Sequence, residues 1–385
     1  MQIVYVDSDA ALHKTVQILA EEKTYLAIDT EFRREDTYFP ELCLIQVATI
    51  DTVFLIDSLS GINLDPFFDI LRNPALLKVL HSGRQDLEIF CHLMKGDTTT
   101  FVFDTQIAAM LAGYGESAGF ESLVFKTLGV SLDKSLRHTN WMQRPLTENQ
   151  KTYAINDVLY LRPLYDTLVA KLVLNKRLEW MKEETAALET AEFLIPLPSE
   201  AWNRLSTKPT SRRYLALVQQ LAEWREDTAQ RSNTPRSWLL KDEVILDIAS
   251  RSSNAQIDLN KIPKFPKDDP LIFNEVSAIV AHTMQMSETL LPLTPALPTL
   301  SSLQQNIMEM LKLLLKLIAH QENLNPKLIA EKEDLIRWIT LDPEHREQIA
   351  GSGWRHKLFW QKADALLEGK ITLHVHKGRI IIDES

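Results

Sequence analysis

Cysteine is nearly absent: Cys43 and Cys91 are the only two in 385 residues. Four-cysteine zinc sites and disulfide frameworks are therefore excluded, and a reducing, cytoplasmic setting is expected. Long apolar runs are missing as well. The most apolar helical stretch, Leu311 to Ala319, is interrupted by Lys312 and Lys316 and is too short to span a bilayer. The opening Met-Gln-Ile-Val-Tyr-Val-Asp lacks a basic segment followed by an apolar one, so no secretory leader is expected. Basic charge is not in excess: 42 Lys and Arg face 52 Asp and Glu, a formal net charge of −10. A bare polycation that grips nucleic acid by charge alone is excluded. An acidic site neutralised by metal cations is not. No glycine loop ending in Lys-Ser/Thr occurs, which excludes an ATP-driven motor of that type. The remainder, 45% hydrophobic and 24% charged, is ordinary globular composition, long enough for two to four domains of about 100–200 residues.

Residues 1–174 alternate strand and helix signals. Tyr25 to Phe32 is an apolar run that ends in acids. Leu42 to Thr49 and Thr52 to Ser58 read as a hairpin around Ile50-Asp51. Lys78 to Ser82 and Phe101 to Thr105 are short buried-type strands, with a helix pattern from Arg84 to Met94 between them, and Thr147 to Leu174 reads as one long helix. A mixed sheet with helices on its faces follows. Beyond residue 175 strand signals nearly vanish. Pro235-Arg-Ser-Trp-Leu-Leu-Lys-Asp-Glu-Val-Ile aligns without gaps on Pro326-Lys-Leu-Ile-Ala-Glu-Lys-Glu-Asp-Leu-Ile, an offset of 91 residues, which predicts a repeated helical module.

Three acidic segments stand out. Asp29-Thr30-Glu31 closes the apolar run, and residues two apart on a strand share a face. Two acids at the end of a buried strand are costly unless a cation pairs them, and oxygen-only ligands suit magnesium or manganese. Asp86 falls in the first turn of the Arg84 helix, where an acid also complements the helix dipole. Tyr153 and Asp157, four apart, share one face of the long helix. Each segment alone has an ordinary structural explanation.

In this order, Asp-x-Glu, Asp and Tyr-x-x-x-Asp resemble the three exonuclease motifs of the DEDD superfamily, tyrosine branch. The flanks narrow the likeness to ribonuclease D: Asp29-Thr-Glu-Phe-Arg-Arg with Tyr38-Phe-Pro-Glu-Leu-Cys-Leu-Ile-Gln46, and Trp141-Met-Gln-Arg-Pro-Leu leading to Tyr153-Ala-Ile-Asn-Asp157. The helical modules resemble HRDC domains, the helicase and RNase D C-terminal type, and Trp354-Arg355 with Ala365 to Lys370 resembles the family's C-terminal end. One departure is Asn140, where the family usually has Asp before the Trp. The second module diverges from the first, with Ile329 for Trp238 and Glu331 for Leu240.

The resemblance implies a ribonuclease H-like exonuclease domain over 1–174, a helical linker over 175–205, and HRDC-like domains over 206–288 and 297–378. It implies a 3′→5′ exoribonuclease that releases 5′-mononucleotides, with transfer-RNA precursors as substrates. Asp29, Glu31, Asp86 and Asp157 would hold two Mg2+ or Mn2+ ions about 4 Å apart, and Tyr153 would orient or deprotonate the attacking water. Phe32 would either wedge against the terminal base or, pointing opposite to Glu31, join the core. Gln46, His81, Arg212 and Arg213 are further substrate-binding candidates, as is the strip Lys134-Ser-Leu-Arg137-His138. From Trp202 to Lys241 there are eight Lys or Arg and three Asp or Glu, a candidate RNA surface. A monomer is expected. DNA cleavage and a non-catalytic RNA scaffold are the alternatives. Gly115-Glu-Ser117-Ala-Gly119 matches a hydrolase nucleophile pattern but follows a helix instead of a strand. His374-Val-His376 is read as a solvated terminal strand.

Overall fold

The run from Tyr25 becomes strand β2 (Tyr25–Arg33), and the main sheet is built around it. This computed structural model describes residues 1–133, 135–137, 139–206, 211–253, 256–293, 298–342, 345–346 and 353–384. Two of the candidate residues, Lys134 and His138, lie outside the described residues, as does the expected start of the second module at 297.

The expected hairpin joins β3 (Glu41–Ala48) to β4 (Thr52–Ile56). On the other side of β2, β5 (Leu77–Leu80) and β6 (Val102–Asp104) add in parallel. β1 (Gln2–Val6), which was not anticipated, pairs in parallel with β4 and completes the order β1-β4-β3-β2-β5-β6. Alternation then sorts the core into two layers. Leu26, Ile28, Val47 and Phe54 face helices α1 (Asp9–Ala20), α2 (Asp65–Arg72) and α3 (Arg84–Leu93). Ala27, Leu44, Ala48 and Leu55 face α4 (Thr105–Leu111), α5 (Phe120–Leu128) and α6 (Glu148–Leu174).

Helix α6 starts at a capping box, in which Thr147 and Gln150 satisfy each other's backbone N–H groups. The buried Arg162 then pins it across the sheet by donating to the carbonyls of Tyr25 (2.8 Å) and Ala48 (3.3 Å). The loop before α6 is fastened by Arg144, whose guanidinium makes a two-pronged pair with Asp57 at 2.7 Å per arm and also donates to Cys43 O. Asn140 does what an Asp would do there: its side-chain oxygen accepts from Met142 N at 3.0 Å. Both cysteines are buried and unpaired.

Among the described residues the second half is helical apart from a terminal hairpin, β7 (Ile371–His376) with β8 (Arg379–Glu384). The sequence repeat is a structural one. After α7 (Leu178–Thr185) and α8 (Ala191–Leu194), the order long helix, short helix, helix occurs twice: α9 (Arg212–Ser232), α10 (Arg236–Leu239) and α11 (Asp242–Ser250), then, beyond α12 (Pro270–Gln285), α13 (Ser302–Gln321), α14 (Pro326–Ile329) and α15 (Lys332–Thr340). The first module has its own core, including Leu217, Leu221, Ile245 and Val276. The second shares one continuous core with the sheet domain, running from Ala154 and Leu161 to Leu311, Trp338 and Trp360. Trp180 stacks on Trp354 at 4.3 Å, and Arg177 donates to Leu111 O and Glu322 O across that seam.

Gly113 marks a close approach of backbone to backbone across the seam. Its φ of +83° favours glycine, and a Cβ there would lie 2.7 Å from the Asn323 carbonyl oxygen. Gly129, with φ +72°, has open space around it. Gly113→Ala should cost about 1–3 kcal/mol, from backbone strain plus overpacking, and clearly more than Gly129→Ala. Equal melting temperatures for the two variants would show that the seam yields freely.

Candidate active site

At the end of the apolar part of β2, Asp29 and Glu31 point to the α6 side of the sheet, and α6 carries Asp157 over them. One oxygen from each of the three carboxylates lies within 4.8 Å of the others. Tyr153, one turn earlier on α6, is half-buried beside them, its ring 6.0 Å from that of Trp141. Among the described residues its hydroxyl has no hydrogen-bond partner.

Asp86 comes from α3, on the other side of the sheet. It is buried, and it accepts a short hydrogen bond from Thr30, whose side chain alternates away from Asp29 and Glu31. The buried carboxylate of Asp104, at the end of β6, sets the start of α3. It accepts from the N–H groups of Ser82 (3.1 Å) and Gly83 (2.9 Å), and of Gln106 (2.7 Å) in α4. Gly83 itself passes so close to Leu80 that a Cβ would lie 2.6 Å from the Leu80 Cβ. Asp86 is thus adjacent to the other three acids but outside their 4.8 Å group.

A cavity of about 240 Å³ opens onto Asp29, Tyr153 and Asp157, and is lined as well by His81, Glu121 and Arg137. Glu121, in the first turn of α5, is a fifth carboxylate that the sequence did not point to. Its only local signal was an acid after the Gly-rich loop at 115–119. Arg137, from the strip before Trp141, reaches this cavity.

Burial dominates the electrostatics. Asp29 is held well above the usual carboxylate range by burial first, then by Asp86, Asp157 and Glu31. Burial with Asp157 and Asp86 pushes Glu31 up to about 9, against the opposing pull of Arg137. Burial and Glu121 push Asp157 to about 8. Asp86 rises only to about 6, because Thr30 hydrogen-bonds its ionised form. Burial, then Asp157, Glu31 and Asp29, drive the Tyr153 phenol far up. The residues fit a divalent cation: an oxygen-only donor set, crowded to within 4.8 Å, with no ion pair to Asp29, Glu31 or Asp157 among the described residues.

The other candidates divide. His81 lines the cavity with Nδ1 3.0 Å from Thr105 Oγ1, and burial lowers its pKa. Gln46 lies directly opposite Asp29 in the β2–β3 register but is fully buried, its amide unpartnered among the described residues. It stands beside Asp29 on the α6 face of the sheet, out of reach of solvent. Phe32 takes the core alternative: past a bulge after Glu31, it packs against the α1–α3 layer. Arg212 and Arg213 are corrected. Arg212 donates to the carbonyls of Leu291 and Pro292, and Arg213 to those of Thr283, Met284 and Met286 and to Glu288. Both guanidiniums close the chain end of α12 and its following loop, so they are not free for phosphates.

The profile described as 3′-5′ exonuclease matches residues 3–173, and that of the HRDC domain matches 214–268. Ribonuclease D of Bartonella henselae is 39% identical over 360 residues, covering 92% of this chain and 88% of its own length. Ribonuclease D of Jannaschia sp. is 39% identical over 372 residues, 95% of each chain. The chain belongs to the ribonuclease D family. The family's Escherichia coli member, described as an exoribonuclease involved in structured RNA processing, superposes with a TM-score of 0.78 at 28% identity, over 96% of this chain and 99% of that one. Membership carries the enzyme class: the protein is a 3′→5′ exoribonuclease, a hydrolase of phosphodiester bonds. It also carries the architecture, a mixed-sheet exonuclease domain followed by HRDC-type helices. Among the described residues no helix is long and apolar enough to cross a membrane.

The raised carboxyls link stability to pH. A carboxyl with a higher pKa in the folded chain holds its proton more tightly there than when unfolded. Stability is therefore full below the unfolded value of about 4 and is lost as pH rises through the folded values of about 8 for Asp157 and about 9 for Glu31. Metal-free protein should melt at progressively lower temperature from pH 5 to 9, and millimolar Mn2+ should flatten that slope. Asp157→Asn should also flatten it without metal; an unchanged slope in that variant would mean that the acids do not repel one another.

Proposed function

We propose that the protein shortens RNA one nucleotide at a time from the 3′ end, releasing 5′-mononucleotides, with two Mg2+ or Mn2+ ions at Asp29, Glu31, Asp86 and Asp157. The observation that carries this is the group of three carboxylates within 4.8 Å beside a half-buried tyrosine, with Asp29, Asp157 and Tyr153 lining one cavity. When bound, the ions supply an activated water and neutralise the charge that builds on the phosphate. Asp29, Glu31 and Asp157 would hold the ions together with Asp86, whose carboxylate Thr30 orients by a hydrogen bond.

Without metal, burial and then the charges of Asp157, Glu31 and Asp29 keep the Tyr153 phenol protonated. Its part is to hold and orient the attacking water by hydrogen bonding. His81, hydrogen-bonded through Nδ1 to Thr105, lines the same cavity, while its Nε2 is buried and unpartnered among the described residues.

Transfer-RNA precursors are the substrate class proposed, with the protein acting as a cytoplasmic monomer. The two free cysteines and the resemblance support that setting. With Arg212 and Arg213 committed internally, contact with longer RNA passes to Trp238, which is 63% exposed, and to the exposed Lys241 three residues further along the chain. An exposed tryptophan offers a base-stacking platform.

Mononucleotide release from matched RNA and DNA oligomers with Mg2+ tests the reading. RNA should be trimmed, EDTA should stop the reaction, and Asp29→Asn or Asp157→Asn should reduce it to background while folding is kept. Tyr153→Phe should slow turnover by about 10²-fold and leave metal binding intact. Near-normal cleavage by either Asp variant would remove the metal-ligand assignment, and faster trimming of DNA would remove the RNA one. Trp238→Ala should raise the KM for a transfer-RNA precursor; an unchanged KM would take the platform away.

A further inference from the structure

The loop that leaves β2 is held from the other half of the chain. Tyr38 N donates to Asn233 O at 3.2 Å, and Phe39 N donates to Asn233 Oδ1 at 2.9 Å. The Tyr38 hydroxyl donates to Glu226 Oε1 and accepts from Gln230 Nε2 at 3.2 Å. Glu226 and Gln230 belong to α9, and Asn233 is its C-terminal cap, with φ of +49°. Glu226 is fully buried, with Arg236 at 3.3 Å and Arg204 at 3.7 Å. Tyr38, Phe39 and Ala229 form a small apolar core that bridges the two halves.

The same loop is tied to the acid-bearing elements. Arg34 Nη2 donates to Tyr38 O at 3.1 Å and to Glu88 Oε1 at 3.0 Å. The Phe39 ring stacks on His92 at 3.7 Å between centroids. Glu88 and His92 lie on α3, the helix of Asp86, and Arg34 is three residues past Glu31. Simple adhesion between domains would need only an apolar patch. Here a buried carboxylate with several fixed partners is used, and such a group dictates geometry more than it adds stability.

We propose that the first helical module is part of the catalytic apparatus. Glu226 and Asn233 are positioning residues: through Tyr38 and Phe39 they fix the end of β2 against α3, and so the spacing of Glu31 and Asp86. This rests on the assignment of those acids as metal ligands.

Two full-length variants test it. Tyr38→Phe removes the hydroxyl that reaches Glu226. Asn233→Gly removes the acceptor for Phe39 N and keeps a residue at ease with positive φ. Mn2+ binding is measured by calorimetry without RNA, and kcat and KM on a diribonucleotide. Both variants should bind Mn2+ more weakly and turn over more slowly, by about three- to tenfold each, with KM for the diribonucleotide within about twofold of wild type. Variants that bind Mn2+ and turn over like wild type, or that lose only KM on long RNA, overturn the positioning role while leaving the metal assignment standing. A wild-type chain that binds no Mn2+ overturns the metal assignment, and this proposal with it.

Discussion

Mutual repulsion among buried carboxylates is the constraint around which the rest of this structure is arranged. Asp29, Glu31 and Asp157 are brought within 4.8 Å of one another, with Asp86 next to them, in a place where burial already disfavours charge. Nothing in that cluster holds itself together, so rigid surroundings must do it. Arg162 fastens α6 to the backbone of β2 and β3, Arg144 fastens the preceding loop to Asp57, and Asp104 fixes the start of α3 through backbone N–H groups. Each device is a charged group fully engaged by hydrogen bonds, the condition under which buried charge is tolerated.

The helical half answers to the same constraint in two ways. The second module continues the core on the α6 side and stiffens the layer that bears Asp157 and Tyr153. The first keeps a separate core and meets the exonuclease domain at the loop after β2. One module thus backs the helix that brings acids to the sheet, and the other grips the strand that carries them.

Basic residues turn out to be mostly structural. Of the arginines between Trp202 and Lys241, Arg212 and Arg213 close the end of α12, Arg225 pairs with Asp242 and Arg236 flanks Glu226. A local surplus of arginine in a helical domain is therefore poor evidence of a phosphate track. Guanidinium groups are also the side chains best able to satisfy several orphan carbonyls at once.

The sequence alone determined the strand β2 with its paired acids, the hairpin after it, the long helix of Tyr153 and Asp157, and the 91-residue repeat of helices. These were legible because alternation, a fourfold helical spacing and gapless similarity are properties of neighbouring residues. Strand β1 was missed because five residues at an edge offer too little pattern. Only the tertiary structure decided which charges meet. Glu121 stands near Asp157 through the packing of α5, Gln46 is sealed beside Asp29 by register, and Phe32 packs into the α1–α3 layer. Glu226 finds Tyr38 188 residues away in the chain. Such contacts depend on how layers and modules dock, a sum of many small packing terms that no local pattern in the chain encodes.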